Sequence, residues 1–216
     1  MKKIFKFLFI FTIITNLASA EVVKVFEFTE EEFKTLEVRK VRGADAKTKY
    51  SLGSNENGNY LKAEADNAAS GLGKEIKINL NRTPFLNITW KVEKGLRGIN
   101  ERSKKGHDYA ARVFVVKKTG ATPLSNRAMN YVFSSNEDVD ISHPSPYTKK
   151  SIDYVLSTTK DHIDKWVTVK VNVKKHFKEF HDLDLDEING VAIMADTDNS
   201  KLKSISYYQN IYFSNE

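Results

Sequence analysis

Apolar and polar residues alternate strictly along most of the chain after residue 46. Leu61, Ala63 and Ala65 alternate with Tyr60, Lys62 and Glu64, and Ile76, Ile78 and Leu80 with Lys77 and Asn79. Ile88, Trp90 and Val92 alternate with Thr89 and Lys91, and Val167, Val169, Val171 and Val173 with Trp166, Thr168, Lys170 and Asn172. Successive side chains of a strand point to opposite faces, so each stretch predicts a half-buried antiparallel strand. Residues 108–116, 127–134, 152–156, 188–195 and 204–213 read as further strands, separated by turn-rich pieces such as Ser54-Asn55-Glu56-Asn57-Gly58-Asn59. Short helices are predicted at 30–36 and 174–181 only, too few for a parallel α/β sheet. The expectation is an all-β fold, a two-sheet antiparallel β-sandwich of jelly-roll (galactose-binding-like) type with one or two short helices.

No repeat or change of composition divides the chain, so residues 21–216 are expected to form a single β-sandwich domain. Residues 1–20 read as a signal peptide: Lys2, Lys3 and Lys6 form a basic start, 7–17 an apolar core, and Ala18-Ser19-Ala20 a cleavage pattern. That core is shorter than the about 20 residues a bilayer crossing needs, so no integral membrane segment is expected after cleavage. The implied location is periplasmic or secreted. With no cysteine, the fold must hold without disulfides. Three of the 34 basic residues lie in the leader, leaving 31 against 28 acidic residues, a net charge of +3. The signs are interspersed, which argues against a nucleic-acid partner.

Two long polar connections, 95–106 and 135–150, serve either as binding loops or as covers for a sheet edge. The apolar run Val191-Ala192-Ile193-Met194-Ala195 ends in Asp196-Thr197-Asp198-Asn199, a rigid support for polar groups. Arg112 sits inside an otherwise apolar strand, where an unpaired guanidinium is costly, and Asp196 or Asp198 is the expected partner.

Several pieces together resemble the exported bacterial family catalogued as domain of unknown function 3047. They are Leu86-Asn87-Ile88-Thr89-Trp90-Lys91-Val92, His107-Asp108-Tyr109-Ala110-Ala111-Arg112-Val113-Phe114-Val115, Asn130-Tyr131-Val132-Phe133-Ser134, the stretch 188–200, and Tyr207-Tyr208. That family carries a second acidic residue where His107 stands and Thr-Gly where Ser200-Lys201 stands. The resemblance implies an exported, all-β domain of unassigned activity.

The candidate ligand-binding set is Asp108, Arg112, Asn130, Tyr131, Asp196, Asp198 and Asn199. Arg and Asp each offer two directed hydrogen bonds, which suits a carbohydrate or another polyhydroxylated ligand. Tyr131 and Trp166 are the aromatics expected at the surface, and Trp90 is expected in the core. The competing account of Arg112 is a structural ion pair that fixes strand register. Asp196-Thr197-Asp198-Asn199 offers oxygens at alternate positions, compatible with calcium, but Ser200 and Lys201 break the calcium-loop pattern. No other cofactor is implied. The leading expectation is a non-catalytic carbohydrate-binding sandwich. A polysaccharide hydrolase or lyase using Asp108 and Asp196, and an envelope structural or assembly protein, are the alternatives.

Overall fold

The computed structural model describes residues 20–216, so the leader read at 1–20 lies, but for Ala20, outside the described residues. Its elements run β1 (Val22–Phe26), α1 (Glu30–Thr35), β2 (Val38–Lys40), β3 (Lys49–Asn55), β4 (Gly58–Asp66), β5 (Ala69–Asn79) and β6 (Phe85–Lys94). They continue through β7 (Ala111–Lys117), β8 (Arg127–Ser134), β9 (Ser142–Ser145), β10 (Thr148–Thr158) and α2 (Thr159–His162). The chain then forms β11 (Val167–Asn172), α3 (Val173–His181), β12 (Glu187–Asp196) and β13 (Lys203–Ser214).

Alternation becomes two stacked sheets, a β-sandwich of jelly-roll type. Sheet A is ordered β11-β6-β13-β4-β3, with β1 also pairing β13. Sheet B is ordered β2-β5-β12-β7-β8-β10-β9. One detail departs from an all-antiparallel reading: β10 runs parallel to β8, Asp153 opposite Asn130 and Val155 opposite Val132. That arrangement is open to them because 135–150 is long enough to carry the chain back to the starting end. Within this connection β9 forms the sheet edge, where Pro144 sacrifices no ladder bond that a central strand would need.

On β4 and β6 the inward residues are those that periodicity assigns. Leu61, Ala63, Ile88, Trp90, Val92, Val113, Val115 and Ile193 are sealed in one core shared by both sheets. Trp90 lies against Phe133, ring centroids 5.5 Å apart, and its indole N–H donates to Ser157 Oγ at 3.0 Å. The polar handle of the largest core side chain is thereby satisfied.

Helix α3 closes one end of this core. Asn172 caps its start by accepting from Lys175 N at 2.9 Å, and Asp182 ends it in the left-handed conformation. It buries Val173, His176 and Phe177. His176 packs on Tyr154 at 4.4 Å between centroids, and burial lowers its pKa from 6.5. The folded state therefore favours the neutral ring, a contribution present above pH 6.5 and lost as pH falls through the lowered value. In His176→Phe the melting temperature should fall less between pH 7 and pH 5 than in the unsubstituted protein. An equal fall would remove His176 from the acid response. No described helix is long and apolar enough to cross a membrane.

Candidate functional site

Arg112 lies on the outer face of sheet B, directly across from Met194 on β12 and Val132 on β8. Its Nε donates to Asp196 Oδ1 at 3.0 Å and its Nη2 to Asp196 Oδ2, a two-pronged pair in which both side chains are 3% exposed. Nη2 also donates to His107 O at 3.3 Å, and the guanidinium carbon stands 4.8 Å from the Tyr109 ring centroid. Asp196 accepts in addition from Tyr109 N at 3.1 Å. Burial disfavours charge on both partners. Asp196 nonetheless holds Arg112 protonated, its pKa raised, while burial lifts the Asp196 carboxyl above the ordinary range against the pull of Arg112.

Asp108 precedes β7 rather than belonging to it, so it does not share a strand face with Arg112. It is sealed, and it organises the turn after β12: its carboxylate accepts from Asn199 Nδ2 at 2.8 Å, Asn199 N at 3.3 Å and Ser200 N at 2.6 Å. Asp198 is half-buried, its pKa raised by burial and then by Asp108. One carboxylate oxygen each from Asp108, Asp196 and Asp198 lies within 4.8 Å of the others, the spacing a cation would use. Within this group the Arg112 guanidinium pairs with Asp196, and Asp108 is met by the neutral donors of Asn199 and Ser200. The accessible rim is Asn199, whose Oδ1 accepts from the exposed Tyr147 hydroxyl at 2.7 Å.

Asn130 joins a neighbouring network. Its Nδ2 donates to Asp153, its partner across the parallel pair, and Asp153 Oδ2 meets His107 Nε2 at 2.7 Å. His143 flanks the same carboxylate at 3.8 Å and Glu137 at 3.4 Å. Asp153 escaped the sequence reading although the signal that marked Arg112, a charge inside an alternating strand (Ser151 to Val155), marks it equally. Tyr131 does not join this set. Being next to Asn130 it faces the opposite way, into the core, where it is fully buried and its hydroxyl is 3.5 Å from His176 Nδ1. Its expected surface position is thus corrected by strand parity itself.

The two long connections seal this cluster. Glu101 accepts from Ser134 Oγ, Ser135 N and Asn136 Nδ2, and Arg102 Nε donates to Glu137 at 2.6 Å. Leu96 N donates to Ser135 Oγ at 2.8 Å. Underneath, Tyr109, Val132 and Val155 form a small apolar cluster on the outer side of sheet B. Of the predicted set, Asp108, Arg112, Asn130 and Asp196 gather beneath this cover, with Asp198 and Asn199 at its margin.

Sheet A presents a different surface. Lys91, Tyr207 and Lys62 are neighbours across β6, β13 and β4. They share the solvent face because Trp90, Leu61 and Tyr208 beside them face inward. Trp166, two residues before Thr168, falls on the same side, and its indole reaches across to meet Tyr60 and Tyr207. Ring centroids are 5.6 Å apart for Tyr60–Tyr207, 5.9 Å for Tyr60–Trp166 and 6.0 Å for Trp166–Tyr207. All three rings are half-buried. Gly53 on β3 makes room, since a Cβ there would overlap the Tyr60 ring. Polar side chains border the rings: Lys91 Nζ stands 4.5 Å from the Tyr207 centroid and 2.8 Å from Asp164 Oδ1. Tyr207 donates its hydroxyl to Glu93 at 2.6 Å, and Thr89 and Thr168 share a hydrogen bond of 2.8 Å. Burial and then Glu93 raise the Tyr207 pKa, keeping the phenol a donor. The expected exposure of Trp166 fits this surface; Tyr60 was legible only as a member of a polar-facing set.

Among solved structures, the chain is similar to the family 30 carbohydrate-binding module of a cellulosomal cellulase of Clostridium thermocellum, at 8% identity and TM-score 0.47, over 91% of this chain and 98% of that one. It is also similar to a family 12 xyloglucanase from Bacillus licheniformis, at 8% identity and TM-score 0.48, over 91% and 100% of the two chains. No curated protein sequence matches it. The model describing proteins of unknown function (DUF3047) matches residues 34–212, and the chain belongs to that family.

Proposed function

We propose that this is an exported, periplasmic or secreted protein that binds a carbohydrate or a similar polyhydroxylated ligand without catalysing a reaction and without a cofactor. The observation that carries this reading is the three-ring cluster of Trp166, Tyr207 and Tyr60 on the open face of sheet A. Half-exposed rings offer apolar faces to the C–H faces of sugars, while their borders supply hydrogen bonds to hydroxyls. A protein-binding core would be depleted in lysine, glutamate and aspartate, yet here Lys62, Lys91, Glu93 and Asp164 crowd the rings. The absence of catalysis is supported by Asp108 and Asp196, both buried and engaged by Arg112, Asn199 and backbone N–H groups, where neither reaches a glycosidic bond.

Titration calorimetry against a panel of soluble envelope and plant polysaccharides tests the proposal. The unsubstituted protein should bind at least one of them. Trp166→Ala should weaken that binding about ten-fold, equivalent to about 1.4 kcal/mol, with the melting temperature little changed. Fluorescence gives a second readout, because Trp90 is sealed in the core and only Trp166 is placed to sense a ligand. Binding that leaves both the emission and the Trp166→Ala affinity unaltered would move the site elsewhere; the Asn199–Tyr147 rim is then the next place to examine.

A further inference from the structure

The face that carries the three rings continues into a depression of about 340 Å³, within the range of about 300–1,000 Å³ typical of small-molecule sites. Ile205, two residues before Tyr207 on β13, contributes to its floor, so it begins about 7 Å from the rings along the strand. Register sets its walls. Ile205 is flanked by Lys94 on β6 and Glu64 on β4, and Glu64 by Lys49 on β3. Lys203 and Asp66 form the next row.

The charges within it are unequal in availability. Glu64 is paired with Lys62 at 3.0 Å and Asp66 with Lys203 at 2.7 Å, so both acids are already neutralised. Lys49 and Lys94 line the depression and make no ion pair among the described residues. Lys47 donates to the carbonyl of Val38 at 2.9 Å. The field in the hollow is therefore positive, next to a stacking surface.

We infer that the ligand is an acidic glycan, one whose sugars carry carboxylates, with the chain stacked on Trp166, Tyr207 and Tyr60 and a neighbouring uronate held by Lys49 and Lys94. This inference rests on the carbohydrate reading and narrows it. Charge complementarity carries it: a neutral glycan uses the rings and leaves both ammonium groups solvated, whereas a uronate brings each of them a carboxylate partner.

Short polygalacturonate oligomers and the same oligomers after reduction of their carboxyl groups to alcohols form the matched pair of probes. At low salt the acidic oligomer should bind about ten-fold tighter than its reduced counterpart. That margin should shrink towards unity at about 0.5 M salt, where screening is strong. Lys49→Gln combined with Lys94→Gln should bring the ratio near one, whereas Lys105→Gln, in the connection over sheet B, should leave it intact. Trp166→Ala should weaken both probes. If the two probes bind equally and Trp166→Ala weakens both, the acidic preference is overturned while the glycan platform stands. A preference that survives the double lysine substitution overturns the assignment to this depression. If neither probe binds, the acidic assignment fails; if in addition no polysaccharide of the panel binds, the carbohydrate reading fails with it.

Discussion

Replacing Arg112 with methionine is expected to cost about 3–5 kcal/mol of folding stability, a large share of the about 5–15 kcal/mol that a domain possesses. For a chain of this size that corresponds to a fall in melting temperature of about 10–15 °C. Methionine fills much of the space but leaves Asp196 as a buried carboxylate beside Asp108 and Asp198, with the Tyr109 N–H as its remaining hydrogen-bond donor. Arg112→Lys should fall between the two, since a single ammonium cannot reproduce the two-pronged geometry. Adding Asp196→Leu to Arg112→Met should restore part of the loss, because the stranded charge is then gone. Urea denaturation of the set decides the matter. A single-variant cost below about 1 kcal/mol, accompanied by lost ligand binding, would make this pair part of an open site instead of internal structure.

Tyr208→Phe, a change of one oxygen atom, should cost about 2–4 kcal/mol. Tyr208 rises from β13 through the core, and its hydroxyl stands between two strands of the other sheet. Arg112 N donates to it at 3.0 Å, and it donates to Met194 O at 2.6 Å. Arg112 and Met194 are direct partners across β7 and β12, so the phenol relays a bond within that ladder and ties the two sheets together. Phenylalanine leaves a backbone donor and acceptor unpaired in a site without water access, each worth about 1–3 kcal/mol. Tyr131→Phe is the matched control: its hydroxyl has one distant neighbour, His176 Nδ1 at 3.5 Å, and its loss should cost under about 1 kcal/mol. Equal effects for the two tyrosines would contradict the relay.

Alternation made much of this architecture legible, because the core-facing residues of β4 and β6 are the same residues the period of two selects. The two helices were legible from their breaks in that period. Less visible were β1, β2 and β9, short edge strands whose pairing depends on neighbours distant in sequence. The parallel run of β10 beside β8 was also hidden, since periodicity carries no direction. The Arg112 pair is legible because burial of a guanidinium demands an acceptor, and Asp196 is one of the two acids expected to meet it. Asp153 carries the same mark, a charge among the apolar residues of 151–155. What sequence could not convey is that the connections around Glu101 and Glu137 fold over this cluster and close it, nor that Trp166, just before β11, meets Tyr207 of β13 and Tyr60 of β4.

The position of β13 also dictates when the protein can assemble. One edge of this strand holds β6, and the other holds β4 along residues 203–208 and β1 along 211–214. Residues 22–26 therefore have no docking place until residues 211–214 have been synthesised, and sheet A lacks its middle until then. A growing chain therefore lacks the central pairings of sheet A until nearly all of it has been made. Removing residues 203–214 should leave a chain that never becomes protease-resistant, however long it is given.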